Sequence, residues 1–255
     1  MRTREEAQVT RLLLEIAADG IGSALAAEAG GADRVELCAG LADGGVTPSL
    51  GVIAAARAAL ALPLHVLIRP RAGDFCYSQA EIRVMQYDIE ECARLGCQGV
   101  VIGALDAAGE VDLAVCRGLI AAAGLMSITF HRAFDAVRDR QAALEALVEL
   151  GCKRVLTSGA HSSALEGATT IAAVVRQAAG RIGVIAGAGI RPGDVRKLVA
   201  ATGVREIHAS ASAPRISPTS RRNSELPGLG ADWRQTDAEA VRRLVDELRA
   251  AEAAC

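Results

Sequence analysis

Short apolar segments alternate with amphipathic ones along most of this chain, and this alternation restricts the folds that it can adopt. Eight of the apolar segments suit β-strands, and each is followed by a helix or a helical segment. Such a pattern is typical of an α/β protein with a parallel sheet.

The entries into alternate strands repeat one motif. A glycine that ends a helix, two variable residues and then a strand occur at Gly31, Gly96, Gly151 and Gly203, before the second, fourth, sixth and eighth strands. The repeat predicts four βαβα quarters and hence a single (β/α)8 TIM barrel. An open doubly wound sheet is the alternative, because alternation alone does not establish closure.

The expected strands span residues 12–18, 33–39, 64–70, 99–105, 126–133, 154–158, 181–186 and 206–210. The expected helices span residues 21–29, 49–61, 112–123, 138–150, 168–179, 192–201 and 237–253, together with one that starts at a Ser78/Glu81 capping box. Pro192 is expected at the first helical position.

The length of 255 residues and a hydrophobic fraction of 51% suit one large core. We therefore predict one domain over residues 1–255, with the barrel core over about residues 12–212. Residues 213–236 are rich in Ser, Arg, Pro and Gly and predict a long loop. The helix expected over residues 237–253 would complete the outer layer.

Charge and cysteine content exclude several classes of protein. The chain has 28 basic and 30 acidic residues, and this balance argues against a nucleic-acid partner, which requires a basic surface. Seven cysteines without regular spacing in a chain of this length indicate a reduced, cytoplasmic protein. The first residues resemble no signal peptide, and no apolar run has the length of a membrane span.

Ligands of such barrels bind at the carboxyl ends of the strands. The predicted strands place five ionisable candidates for catalysis there, namely Glu15, Glu36, Arg69, His131 and His208. Because charges are rarely buried without a partner, we expect an ion pair between Arg69 and one of the two glutamates. Each residue alone is also compatible with a structural role, and it is their shared location that favours a functional pocket.

Two of these expectations concern chemistry. His131 is a candidate general acid or base, since the ordinary pKa of histidine lies near neutrality; a hydrogen bond to a neighbouring carboxylate is the alternative. Gly187, Gly189 and Ser210 follow the last two strands, where many barrels hold a phosphate, so with Arg69 they are candidates for anion binding. The alternative is that the glycines only form the turn.

Two thiols, Cys38 and Cys76, fall near the predicted barrel mouth. Thiolates are ligands for a soft metal such as Cu(I), but no CxxC pair supports a zinc site. On spacing alone, metal binding is the minority interpretation.

Several motifs resemble those of the CutC family, whose members are described as copper homeostasis proteins. They occur in order over about residues 14–212 and are ELC at 36–38, GGVTPS at 44–49, IRPR at 68–71, GDF at 73–75, TFHRAFD at 129–135, LTSG at 156–159 and ALEG at 164–167.

The resemblance implies a cytoplasmic barrel, commonly a homo-oligomer, that is linked to copper tolerance and in some members to Cu(I) binding by cysteines. Members often carry EVCVD on the first strand, whereas this chain has EIAAD at 15–19. Ala17 therefore replaces one cysteine, and a thiol pair with Cys38 cannot form.

Two hypotheses follow. The first is a CutC-type copper homeostasis protein that binds Cu(I) at the barrel mouth through Cys38, with help from Cys76 or His131. The second is a TIM-barrel enzyme that acts on a small anionic or phosphorylated metabolite, with the polar residues at the strand ends as its catalytic groups. A barrel that serves only as a scaffold is a third possibility.

Overall fold

A computed structural model describes residues 11–220 and 232–253 of the chain. Eight parallel strands form a closed barrel in chain order, and β1 pairs with both β2 and β8, so the prediction of a (β/α)8 barrel is confirmed and the open sheet is excluded. The barrel strands are β1 (Leu13–Asp19), β2 (Arg34–Cys38), β3 (Leu64–Leu67), β4 (Gly99–Ile102), β5 (Ser127–Phe130), β6 (Arg154–Thr157), β7 (Gly183–Gly187) and β8 (Glu206–Ala209).

Helices follow these strands and surround the barrel. Their bounds are α1 (Ile21–Gly30), α2 (Leu50–Ala59), α3 (Gln79–Arg94), α4 (Leu113–Ala123), α5 (Arg140–Glu149), α6 (Ala168–Ala178), α7 (Val195–Thr202) and α8 (Ala238–Glu252). The predicted capping box is present at the start of α3, where Ser78 and Glu81 each accept an N–H of the other residue's backbone. Within the described ranges, no helix is both long and apolar enough to cross a membrane.

The two faces of the barrel wall differ in chemistry. The outer face packs on the helices through large apolar side chains such as Leu14 and Phe130, and helices contribute others such as Leu144 of α5, all fully buried. The inner face carries charged and polar side chains together with a small apolar cluster of Cys38, Leu67 and Val101. Because side chains alternate along a strand, residues two positions apart share the inner face.

Several strands end earlier than expected, among them β3 at Leu67 and β4 at Ile102, and three of the differences from the sequence-based expectations have an identifiable cause. The helix expected from Pro192 begins only at Val195, because residues 191–194 form a turn in which Asp194 accepts the backbone N–H of Arg191. The strand expected to reach residue 133 ends at Phe130, because His131 caps a short 3₁₀ helix, Arg132–Ala136.

The third difference lies in the loop expected over residues 213–236. Its ends form an antiparallel pair, β9 (Ser212–Arg215) and β10 (Trp233–Thr236), while residues 221–231 lie outside the described part. Pairing of Ser212 with Thr236 joins segments that are distant in sequence, and local composition does not reveal such pairing.

Candidate functional site

A cavity of about 550 Å³ opens at the carboxyl ends of the barrel strands. Six of the predicted site residues line it: Glu36, Arg69, His131, Gly189, His208 and Ser210. Glu15 lies fully buried beside His208. Gly187 packs closely below the mouth, since a Cβ there would come within 2.7 Å of Leu156 and 3.2 Å of His208.

Glu15 is held from both sides by its neighbours on the adjacent strands. In the strand register Glu15 is opposite Arg34 on β2 and opposite His208 on β8. Its carboxylate accepts a hydrogen bond from Nε of Arg34 and lies 2.8 Å from Nδ1 of His208. Burial disfavours ionisation, but Arg34 and His208 outweigh it and hold the pKa of Glu15 well below its usual value.

The expected ion pair between Arg69 and a glutamate is wrong. Arg34, in register with Glu15, takes that place and also binds Glu206, its Nη2 donating to Oε2 over 2.6 Å. Arg69 lies beyond the end of β3 and donates instead to the backbone carbonyls of Gly45 at 2.9 Å and Gly73 at 2.8 Å. Its guanidinium therefore links the loop that follows β2 to the loop that follows β3.

Glu36 has a different environment from Glu15. Its Oε2 is buried without a hydrogen-bond partner among the described residues, and the nearest cationic atom is Nδ1 of His208 at 3.9 Å. Burial raises the pKa of Glu36 to about 7, with His208 opposing and Glu15 adding to the rise. Burial lowers the pKa of His208, but Glu36 and Glu15 more than compensate and raise it. A carboxyl group and an imidazole, both with raised pKa values, thus face one cavity.

His131 is buried and has a backbone partner. Its Nδ1 accepts the N–H of Ala133 at 3.1 Å, so neither the proposed carboxylate contact nor a free Nδ1 is present. Its Nε2 has no partner among the described residues. Burial, with Arg69 nearby, lowers the pKa of His131 to about 3, and the ring is therefore neutral at physiological pH.

Two neighbours that the sequence did not single out fix the ring of His131. A Cβ at Gly103 would lie only 2.3 Å from its Cε1, so the absence of a side chain there makes room for the imidazole. The ring of Phe75 packs on His131 with centroids 5.0 Å apart and also lies 5.1 Å from the guanidinium carbon of Arg69. Phe75 belongs to the GDF motif, which is the one sequence signal for it.

The opposite side of the mouth is formed by the loops after β7 and β8. Gly189 and Ser210 lie there beside two exposed arginines, Arg191 and Arg234, and all four line the cavity. Arg234 is directed by hydrogen bonds to Ser212, 3.1 Å to the hydroxyl and 2.6 Å to the carbonyl oxygen. The sequence did not single out these arginines, because β9 and β10 bring Arg234 to the mouth from a distant segment.

A second polar network stabilises the loops after β5 and β6. Asp135 accepts hydrogen bonds from the hydroxyl of Thr157, the N–H and hydroxyl of Ser158, and Nε of Arg132. Thr157 and Ser158, at the end of β6, are thus partners of Asp135. Burial opposes ionisation of Asp135, but its hydrogen bonds lower its pKa.

The CutC family model matches residues 12–213. The chain belongs to the CutC family. A CutC family protein of Xanthomonas axonopodis pv. citri is 54% identical over 238 residues, 93% of this chain and 99% of the relative. One from Bacteroides thetaiotaomicron is 44% identical over 240 residues, 92% of this chain and 96% of the relative.

Solved structures agree with this assignment. A protein of Streptococcus agalactiae, described as a candidate copper homeostasis protein CutC, is 32% identical, with a TM-score of 0.75 over 78% of this chain and 98% of that one. Thiamine phosphate pyrophosphorylase from Pyrococcus furiosus has a TM-score of 0.59 at 15% identity over 95% of this chain and 98% of that one, a likeness of fold alone.

The thiols of this CutC family member lie in unlike environments. Cys38 is fully buried in the barrel interior, where its thiol is 3.6 Å from the carbonyl oxygen of Ala18. Burial, reinforced by Glu36 and Asp19, raises the pKa of the Cys38 thiol. Cys76 is exposed on the loop before α3 and donates to the carbonyl oxygen of Asp106 at 3.2 Å.

These environments do not fit a Cu(I) site well, since copper requires thiolates that converge on one point. In residues 11–220 and 232–253, the one group of three possible metal ligands is Glu15, Glu36 and His208, whose ligand atoms lie within 4.8 Å of one another. It contains no thiol. Arg34 and the ring of His208 already occupy the carboxylate of Glu15.

Proposed function

We propose that this CutC family member is an enzyme that binds a small anionic metabolite in the barrel mouth and transfers protons on it. One observation carries the proposal. Oε2 of Glu36 and Nε2 of His131 are buried polar atoms without partners in the described part of the chain, and both residues line the same cavity. A buried polar group left unpaired costs about 1–3 kcal/mol, so a site that keeps two of them is suited to a ligand that satisfies them.

The charge around the mouth supports an anionic ligand. Arg191 and Arg234 stand on the side of the β7 and β8 loops, next to Gly189 and Ser210. Turns of this kind present backbone N–H groups to phosphate in many barrels. We assign the anionic end of the ligand to this side.

The acid–base groups lie deeper. The ionised carboxylate of Glu15 orients His208 through Nδ1, and Glu36 stands beside that imidazole with a pKa raised to about 7. A carboxyl group with its pKa near neutrality suits general acid–base catalysis, because neither protonation state is scarce.

The description of the Streptococcus agalactiae protein supports a second candidate, a role in copper homeostasis with Cu(I) bound by Cys38 and assisted by Cys76 or His131. Within this chain, the buried and hydrogen-bonded thiol of Cys38 argues against that site. The unpartnered nitrogen of His131 is compatible with either candidate.

Native mass spectrometry of the purified protein separates the two. We expect the wild-type protein to retain small anions from a mixture of phosphorylated and carboxylated metabolites. A variant with both Arg191→Gln and Arg234→Gln should lose them, whereas Cys38→Ser should retain them. Stoichiometric Cu(I) uptake that Cys38→Ser abolishes, with no anion bound by the wild-type protein, would overturn the enzyme proposal in favour of the copper site.

A further inference from the structure

We propose that the reaction is the removal of a proton from the carbon next to a ligand carbonyl group, with Glu36 as the base and His131 as a neutral hydrogen-bond donor to the carbonyl oxygen. This inference rests on the proposed function, because it names the reaction and ligand class of the same cavity. It depends on which unpartnered atoms are donors and which are acceptors.

The backbone determines the donor character of His131. The group that faces its Nδ1 is the N–H of Ala133, a donor, so Nδ1 must accept and carries no proton. In a neutral imidazole the proton then resides on Nε2, which has no partner among the described residues. Nε2–H is therefore a hydrogen-bond donor that a ligand acceptor can satisfy. The 95% burial of His131, between Gly103 and Phe75, keeps water from supplying one freely.

Arg69 adds positive charge on the same side. Its terminal nitrogens bind the carbonyls of Gly45 and Gly73, and its side chain also interacts with the buried hydroxyl of Tyr77. Phe75 packs against both Arg69 and His131, so the donor of His131 and the charge of Arg69 share one wall of the cavity. Donors fixed in place before reaction stabilise an oxygen that gains negative charge, and they do so most strongly where water is excluded.

Glu36 supplies the complementary acceptor. Unlike Glu15, whose oxygens contact Arg34 and His208, Glu36 has one oxygen to which no residue in the described ranges donates a hydrogen bond. It belongs to β2, and it lines the cavity together with His131 of β5. A ligand in the cavity thus meets a hydrogen-bond donor from β5 and a carboxylate from β2.

The resulting step balances without a further reactant. The Glu36 carboxylate takes the proton from the carbon, and the electrons of that C–H bond form a carbon–carbon double bond. The π electrons of the carbonyl group move onto its oxygen, where Nε2–H of His131 and the positive charge of Arg69 stabilise the enolate. Glu36, now a carboxylic acid, returns a proton to the same carbon, which exchanges the hydrogen of that carbon with solvent. Where that carbon carries a hydroxyl group, the hydroxyl proton moves to the enolate oxygen and Glu36 protonates the former carbonyl carbon instead, which completes an isomerisation.

The ligand class follows from these contacts. It carries a carbonyl group with an adjacent C–H bond, and an anionic group that reaches Arg191 and Arg234 on the other side of the mouth. A cavity of about 550 Å³ suits a compound of roughly three to six carbons with one phosphate.

Hydrogen exchange tests this step directly. Ketose and aldose phosphates of roughly three to six carbons are incubated with the protein in D₂O, and proton NMR follows the loss of the signal next to the carbonyl group. We expect the wild-type protein to exchange at least one of them. Glu36→Gln should slow the exchange roughly 100-fold or more, as expected for the loss of a general base.

A matched pair of variants tests His131. His131→Asn keeps a side-chain oxygen that can accept the N–H of Ala133 but removes the donor at the Nε2 position, and His131→Gln restores an N–H near it. We expect His131→Asn to slow exchange roughly 100-fold and His131→Gln to recover part of the rate. Circular dichroism and thermal melting establish that each variant is folded.

Calorimetry separates this inference from the proposed function. It measures binding of the same phosphates, of 2-phosphoglycolate as an enolate mimic, and of glycerol 3-phosphate as the control for that mimic. Binding and turnover without exchange of the adjacent hydrogen would overturn the proton-abstraction step and leave the anion site standing. Failure of every phosphorylated or carboxylated probe to bind would overturn the anion site and the proton-abstraction step together. Binding of 2-phosphoglycolate more tightly than glycerol 3-phosphate, with the difference lost in His131→Asn, would support the anion site and the proton-abstraction step.

Discussion

Nδ1 of His208 lies 2.8 Å from Oε1 of Glu15 across the seam where β8 pairs with β1 and the barrel closes. The other oxygen of Glu15 binds Arg34 on β2, so one fully buried carboxylate links three consecutive strands. The contact between Glu15 and His208 therefore both joins the strands that close the barrel and orients an acid–base group of the candidate site. A change at Glu15 should affect stability and function together.

We predict that Glu15→Gln lowers the free energy of unfolding by about 3 kcal/mol, the lower end of the cost of breaking a buried ion pair. Arg34 loses one carboxylate partner but keeps the other, Glu206. Urea denaturation measures the change. Glu145→Gln is the matched control, because Glu145 pairs with Arg181 on the exposed surface, and it should leave the denaturation midpoint nearly unchanged.

A second prediction concerns pH and His131. Its pKa is lowered to about 3 in the folded protein, whereas the unfolded chain has the ordinary value near 6.5. Below pH 6.5 the unfolded state binds the proton first, so the stability contributed by the neutral ring is complete above pH 6.5 and is lost as the pH falls towards 3. Between pH 6 and 4.5, His131→Asn should therefore reduce the slope of stability against pH by roughly 1.4 kcal/mol per pH unit.

Comparison with the variant is essential for that measurement. Other buried groups contribute to the total slope with both signs, since His65 has a lowered pKa and Glu36 and His208 have raised ones. Subtracting the two curves isolates residue 131. An identical slope in the wild-type protein and in His131→Asn would mean that the folded protein protonates the ring as readily as the unfolded chain does, which would contradict the lowered pKa of His131.

The space beside His131 supports a third prediction. Gly103→Ala would place a Cβ within 2.3 Å of Cε1 and 2.5 Å of Nδ1 of the imidazole, so the ring must move away from Ala133. We expect a loss of about 1–3 kcal/mol in stability and a loss of ligand binding. Gly118→Ala in the middle of α4, with no neighbour closer than 3.5 Å, should instead add about 0.5–1 kcal/mol. Equal thermal shifts for both variants would contradict the packing argument.

The motif of a helix-ending glycine, two variable residues and a strand, repeated at Gly31, Gly96, Gly151 and Gly203, predicted the barrel because each βα unit is local in sequence. Four of the five candidate catalytic residues line the cavity for the same reason, since each ends a predicted strand. The partner of Glu15 could not be predicted in this way. It depends on the register between β1 and β2, which brings Arg34 rather than Arg69 into contact.

Other parts of the site depend on contacts between distant segments. Arg234 reaches the mouth only because β10 pairs with β9, and Gly103 makes room for a ring on the neighbouring strand. A sequence pattern shows where a strand ends but not what faces it across the barrel. The sequence does contain a signal for one ion-pair network, because charged residues within barrel strands need partners. The residues concerned are Arg34, Arg154 and Glu206, and they form that network.

The last prediction concerns the cysteines. Thiolates react with disulfide reagents and thiols do not, so reactivity follows exposure and pKa. Cys76 is exposed, whereas Cys38, Cys92, Cys116 and Cys152 are buried with raised pKa values. Cys97 has a pKa lowered by a hydrogen bond with Cys92, but it is buried and so is shielded from the reagent. In a Cys255→Ser background, which removes a thiol outside the described residues, we expect rapid labelling by a chromogenic disulfide at Cys76 alone. Adding Cys76→Ser should abolish it. Rapid labelling of Cys38, identified by peptide mass spectrometry, would contradict its burial and restore it as a candidate Cu(I) ligand, because a thiol that the reagent reaches as a thiolate is one that copper can also reach.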